Sequence, residues 1–491
     1  MSTGQQEQAQ EQESTGPHAR SDAHELCDLT ARRQLDLMRS GALSARELLD
    51  AHLTRVAALN PEFNAVVALD PEQAMTIAAA VDRRRAAGED PGPLGGLVTA
   101  HKDLQATARF PTSYGSAVYA EHRPTADSLL VARMAAAGAV AIGKTNTPEF
   151  GAGSHTFNTV HGLTRNPYDP TRSAGGSSGG AAVALRCGMV SVADGSDAGG
   201  SLRNPAAWNN IVGFRPSPRV VPRVGPGNAW NTIPIDGPMG RTVDDVVLLL
   251  DVLARPDDRD PLNRPLDLPP RLDPVGGPLR VAFSPTLGGL PVEDDVADAV
   301  SRFVGEVEAL GWEVTLDEPE MSGADESFVT LRASMYASGF AAALGPDGLG
   351  RVKATVRDEI ERGLALSAGD LTDALAAANV LWRRGAEFFT RYDLLIAPVT
   401  QMSPFPAEQE HPETVGGQPV RTYIDWMRSN CRISSFGLPA LSLPAGFTAA
   451  GMPVGAQLVG GPWGDVALLR AALTLEAATG HGARRPERLE A

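Results

Sequence analysis

The chain has 491 residues, 43% of them hydrophobic, and a formal charge of −16 at pH 7. This length can bury a sizeable core, while so acidic a surface repels phosphate backbones and excludes nucleic acid as the default partner. Three scattered cysteines, Cys27, Cys187 and Cys431, form no C-x-x-C pair, which argues against a disulfide framework or a zinc site and suits a reducing compartment.

In chain order, residues 1–22 are polar with no apolar core segment and predict a disordered tail rather than a signal peptide. Residues 23–87 read as helical. "TARRQLDLMRSG" and "SARELLDAHLTRVAALN" carry helical apolar spacing, with Ser44 as N-cap. "PGPLGGLVTAHKD" is a glycine-rich turn leading into a short strand that ends at Lys102. "ADSLLVARMAAAGA" predicts a helix stopped near Gly138, and "AVAIGK" a second strand. Residues 145–176 are polar and turn-rich loop. "GGAAVALRCG" follows as a small-residue helix, and "MVSVADGSD" as a strand entering "GSDAGGSLRNP".

The stretch 255–278, rich in proline and aspartate, predicts a surface connection between two halves. "LRVAFSP" is then a strand, "DDVADAVSRFVGEVEALG" a helix and "WEVTLDE" a strand. Residues 323–390 are largely helical, "YDLLIAPV" is a buried strand and 402–421 a proline-rich loop. "ALSLPAGF" and "PVGAQLVG" predict paired strands before the helix "DVALLRAALTLEAATG". Strands alternating with helices indicate an α/β layer fold. The longest apolar runs, such as "VVLLLDVLA", are too short to span a bilayer, so a cytoplasmic protein without a membrane partner is expected.

Two motifs mislead. "GAVAIGKT" matches the P-loop pattern, but its strand lies between the glycines and "NTPEF" opposes a helix at the lysine. "GGSSG", centred on Ser177, matches a nucleophile elbow, but no buried strand precedes it. The histidines are scattered, which leaves a Ser-His-Asp hydrolase only as an alternative. Lysine usage is more telling. Of 43 Lys and Arg residues only Lys102, Lys144 and Lys353 are lysines. Guanidinium does not lose its proton in a protein, whereas a buried ammonium can. Each lysine is either retained by chance or retained for chemistry that arginine cannot do.

"HKD", "GGSSGG" and "GSDAGGSLR", in this order, resemble the amidase signature family. The resemblance runs from about residue 24 to 480 through "GKTNTPEF", "RNPYD", "DLLIAPV" and "GLPALSLPAGF…GMPVGAQLVG". It implies one α/β/α amidase domain over 23–485, with a large twisted mixed sheet covered by helices. The signature core would span about 90–215 and the substrate-pocket region about 315–425, where Trp382, Tyr392 and Phe405 are either pocket or core residues. The implied catalytic triad is Lys102, Ser177 in a cis peptide, and Ser201. The implied oxyanion hole is the amides of Ala198, Gly199, Gly200 and Ser201, and Gly151 aligns with a position lining the acyl pocket. His101 departs mildly from the family, where many members carry an apolar residue before the lysine.

The chemistry fits these residue types. A free serine hydroxyl is a weak nucleophile, and burial can lower a lysine towards neutrality so that it accepts the proton through a second hydroxyl. Asp197 and Arg203 are expected to brace the loop. The implied reaction is hydrolysis of a carboxylic acid amide through an acyl-enzyme, with a small-molecule amide as substrate and no metal or cofactor. The alternative within the fold is a glutamine-hydrolysing component of an amidotransferase that acts on charged tRNA. A non-catalytic binding protein is disfavoured because all three triad positions are intact. Aryl, aliphatic and amino-acid amides and carbamates are not separated by the sequence, and a homodimer is left open.

Overall fold

A computed structural model describes residues 25–225 and 228–489, so the tail expected at 1–22 lies outside the described residues. The fold is mixed α/β with a large mixed sheet and helices. From edge to edge the eight-stranded sheet runs Glu313–Leu316, Arg280–Phe283, Leu394–Pro398, Pro453–Val459, Ala440–Phe447, Val212–Arg215, Ile235–Gly240 and Ala193–Asp197. The first three strands are mutually parallel, and every later neighbour is antiparallel. A smaller sheet has the order Val66–Leu69, Val140–Thr145, Val98–Lys102. It meets the edge of the large sheet where Ser191 N donates to Val98 O at 2.8 Å.

Helices Val243–Leu253, Asp294–Ala309 and Asp465–Thr479 pack on the large sheet. They bury Leu248, Leu250, Phe303 and Leu469 in one core with sheet residues Phe214, Leu441 and Leu458. Helices Ala324–Tyr336, Ala354–Leu364, Ala368–Phe388 and Arg428–Phe436 form a second group, packed on one another. Among the described residues no single helix is long and apolar enough to cross a membrane.

Local signals placed most elements. Ser44 caps Ala45–Phe63 in a full capping box with Glu47, an arrangement that satisfies two orphan helix donors and contributes about 1 kcal/mol. The strand ending at Lys102, the helices Leu129–Ala136 and Gly179–Arg186, and the antiparallel pair Ala440–Phe447 with Pro453–Val459 stand where the pattern put them. Residues 255–278 form neither helix nor strand.

The expectation that 23–87 is helical fails at Val66–Leu69, a strand set antiparallel to Val140–Thr145. Four residues of helix-compatible sequence are decided there by pairing, not by propensity. Val212–Arg215 and Ile235–Gly240 were not anticipated as strands. "IDGPMG" carries glycine and proline, yet all six residues are buried, and the strand pairs with Ala193–Asp197 along five of them and with Val212–Arg215 at Met239 and Gly240. Its assignment rests on tertiary context, since proline and glycine ordinarily argue against a central strand.

Candidate active site

Lys102 ends its strand fully buried. Its Nζ donates to Ser177 Oγ at 2.7 Å, Ser178 Oγ at 2.8 Å and Ser196 Oγ at 3.0 Å, with Ser196 O at 3.4 Å. Three hydroxyls thus surround one ammonium. Burial lowers the lysine to about 7, against the opposing pull of Asp236, Asp197 and Asp194 and with a small push from Arg223. Its backbone is fixed as well. Lys102 N–H donates to Asp194 Oδ2 at 3.2 Å, and Asp194 Oδ1 lies 2.7 Å from His101 Nδ1. His101, the departure from the family pattern, therefore holds the carboxylate that anchors the lysine's strand end.

Ser177 follows a cis peptide bond from Gly176, and Ser178 precedes the helix Gly179–Arg186. Ser178 N–H donates to Ser201 O at 3.3 Å, which ties the Ser-Ser pair to the second serine loop. Ser201 is 9% exposed, the only one of these hydroxyl residues at the margin of burial apart from Ser196. Gly151, at φ +69°, lies beside the pair: a Cβ there would stand 3.4 Å from Ser177 Oγ and 2.9 Å from Leu104 Cδ1.

The loop before Ser201 is built around Asp197. Its Oδ1 accepts from Gly200 N at 2.7 Å and its Oδ2 from Leu202 N at 3.1 Å. Arg203 grips both oxygens at 3.1 and 3.0 Å, and Arg215 lies 3.4 Å from Oδ1. These fully buried arginines hold the Asp197 carboxyl well below the usual range, despite a burial cost in the other direction. Asp197 and Arg203 are braces, as expected. The Gly200 N–H donates to the Asp197 carboxylate and so helps to shape the loop. The amides of Ala198, Gly199 and Ser201 make no hydrogen bond to other described residues. Gly200 sits at φ +110°, and a Cβ at Gly199 would come within 2.5 Å of Phe328 Cζ, so neither position tolerates a side chain.

Phe328 and Cys431, which flank Gly199, also line a cleft of about 370 Å³ with Asp325, Val329, Thr330 and Ile424. The cleft draws on the region anticipated at 315–425 and extends just beyond it. Trp382, Tyr392 and Phe405 do not line it. Trp382 and Tyr392 pack against one hydrophobic cluster, and Phe405 lies in another between Trp208 and Trp426.

The two misleading motifs resolve structurally. Lys144 lies inside Val140–Thr145, and its Nζ is bound by Gln105 O at 2.5 Å, Thr112 Oγ1 at 3.0 Å and Asp103 Oδ1 at 3.7 Å. No helix opens there to cradle a phosphate. Ser113 lies 3.1 Å from His161 Nε2 beside Asp103, but Asp103 approaches that same nitrogen, at 3.7 Å, instead of orienting the far side of the ring. Neither this group nor the Ser173–His155 contact includes Ser201. Sequence reasoning missed Ser178, Ser196 and Asp194. Only Ser178 left a signal, as the second member of the Ser-Ser pair.

The family model described as Amidase matches residues 47–469. The chain belongs to the amidase signature family. Within this amidase signature enzyme's kin, an acylamidase of Rhodococcus erythropolis is 34% identical over 93% of this chain and 97% of its own. A glutamyl-tRNA(Gln) amidotransferase subunit of Chloroflexus aurantiacus is also 34% identical, over 94% and 99%. Among solved structures, a bacterial aryl acylamidase of the amidase signature family superposes with a TM-score of 0.86 at 28% identity, covering 93% of this chain and 99% of that one. The amidase signature fold expected from the motifs is thereby established.

Proposed function

We propose that this amidase signature enzyme hydrolyses a carboxylic acid amide through an acyl-enzyme on Ser201, with Lys102 as base and Ser177 as the relay. The observation that carries this reading is the buried Lys102 Nζ, 2.7 Å from Ser177 Oγ and lowered to about 7 by its burial. At neutral pH such an amine is shared between its charged and neutral forms, and the neutral form accepts a proton.

Ser177 passes its proton to Lys102 as it takes one from Ser201, whose oxygen attacks the amide carbon. The oxyanion that forms is met by the amides of Ala198, Gly199 and Ser201. The C–N bond breaks as the leaving nitrogen receives a proton back along the relay, which leaves an acyl ester on Ser201. Water then attacks that ester and gives its proton to the same relay, and the acid is released. Gly151 and the cleft beside Gly199 form the walls against which the substrate is placed. Arginine at 102 cannot substitute, because guanidinium does not accept the proton.

One observation favours a second reading, release of ammonia from glutamine in an amidotransferase: the equal 34% identity to the glutamyl-tRNA(Gln) amidotransferase relative. Incubating the purified chain with a panel of amides, glutamine included, and measuring ammonia and amines separately tests both. Turnover of simple amides by the chain alone supports the amidase. Release of ammonia from glutamine alone supports the second reading. A fluorophosphonate probe should label Ser201, and labelling that persists in Ser201→Ala sinks the nucleophile assignment.

A further inference from the structure

Three carboxylates act on Lys102 through their charge, and they are not equivalent. Asp194 is engaged by His101 Nδ1 at 2.7 Å and by the lysine's own N–H. Asp197 is gripped by Arg203 and Arg215, both fully buried. Asp236 is different. It lies in register opposite Ser196 on the neighbouring strand, and Ser196 Oγ is one of the hydroxyls on the lysine. Its Oδ1 accepts from the neutral amide of Gln105 at 3.2 Å. Its Oδ2 meets Arg223 Nε at 3.0 Å, and that arginine's side chain is 37% exposed. Arg219, paired with Asp260, also feels Asp236.

Asp194 and Asp197 are thus held by interior partners, whereas Asp236 is paired with a group that reaches solvent. We propose that Asp236 and Arg223 form a positioning pair that sets how tightly Lys102 holds its proton: Asp236 retains the proton on the amine, and Arg223 moderates that pull from the surface. The proposal rests on the reading of Lys102 as the base. Neither residue touches the reacting atoms. Both act through the field at Nζ, where the low dielectric of a buried site lets a neighbouring charge count.

The two members carry opposite charge, so their removal must move the acid limb of activity in opposite directions. A merely structural pair would lower the rate in both variants without that signature. The readout is the rate of Ser201 labelling by a fluorophosphonate as a function of pH, which needs no knowledge of the natural substrate. The acid limb of Asp236→Asn should move to lower pH by on the order of one unit. That of Arg223→Gln should move to higher pH by a smaller amount. Thermal melting establishes that each variant is folded. If Asp236→Asn does not fold, the exposed Arg223→Gln carries the test alone through its upward shift. Limbs that stay in place, or move in the same direction, overturn the proposal. Lys102→Arg separates this failure from that of the underlying reading. If Lys102→Arg labels at the wild-type rate, the general base itself is wrong. If it is dead while the Asp236→Asn limb has not moved, only the positioning pair falls.

Discussion

Lys102 and Lys144 lie on neighbouring parallel strands one residue out of register, Lys144 pairing with His101 and Thr145 with Lys102. Both are fully buried, and burial lowers both, Lys102 to about 7 and Lys144 to about 8. Desolvation alone therefore does not distinguish them. Their partners do. Lys144 faces a carbonyl, two threonine hydroxyls and the Asp103 carboxylate, whose negative charge favours the ammonium form. Lys102 faces three serine hydroxyls, which can accept from the ammonium or donate to the amine, and more distantly the Ser196 carbonyl at 3.4 Å, but no carboxylate within hydrogen-bond reach of its Nζ among the described residues. Under the proposed mechanism, a buried lysine serves as a base where hydroxyls that suit both of its states surround it, and as a structural cation where a carboxylate holds its proton.

The widest separation of the two lysines is expected in catalysis. Lys102→Arg and Ser201→Ala should each lower kcat/KM by roughly 10³-fold or more, on the order of 4 kcal/mol in barrier, because each removes a step with no substitute. A Lys102→Arg enzyme within about tenfold of wild type, some 1.4 kcal/mol, would return Lys102 to the class of Lys144. The converse substitution, Lys144→Met, should be read in stability. It leaves Asp103 buried without its ammonium, and breaking a buried pair costs on the order of 3 kcal/mol. Denaturant unfolding should show that loss, while the folded enzyme keeps the position of its pH profile. A stable but inactive Lys144→Met would break the comparison from the other side.

The pH profile sharpens it further. In the proposed mechanism Lys102 acts in its neutral form, and burial lowers it from 10.5 to about 7. Activity should therefore rise through one ionisation near pH 7 and level off above it. Well below that point kcat/KM should fall about tenfold per pH unit as the ammonium form takes over. A profile flat from pH 5 to 8 would contradict a base of this kind.

How far the sequence reaches follows the same division. Lys102, Ser177 and Ser201 could be named as candidates because each sits in a motif of the amidase signature. The scarcity of lysine pointed to all three lysines alike and could not separate Lys102 from Lys144. That difference lies in Gln105, Thr107 and Thr112 folding back over one of them, a loop path with no periodic signal. Ser196 and Asp236 were invisible for a related reason. Ser196 reaches Lys102 because Ala193–Asp197 lies beside the strand that ends there, a placement with no local signal, and Asp236 stands opposite Ser196 only through the pairing of Ile235–Gly240, whose "IDGPMG" does not announce a strand. The commitment of the Gly200 amide to Asp197 was equally hidden, since a glycine-rich loop does not declare where each N–H points.

The smallest effects test the rule most closely, by removing one hydroxyl from each lysine. Ser196→Ala deletes an acceptor at 3.0 Å from Lys102, and Thr112→Val one at the same distance from Lys144. A lost hydrogen bond to a charged group is worth about 1.5–3 kcal/mol, less where other partners remain. At Lys102 the loss weakens the ammonium, so Ser196→Ala should shift the acid limb slightly to lower pH, with kcat/KM on the plateau down only a few-fold. Ser177 and Ser178 still hold the amine there. At Lys144 the proton is held by Gln105 O and Asp103, so Thr112→Val should cost stability alone, about 1–2 kcal/mol in denaturant unfolding, with the limb unmoved. The pair is decided by which observable moves. A limb shift in Thr112→Val, or a stability loss without one in Ser196→Ala, would show that the dual character of the serine hydroxyls does not set the two lysines apart.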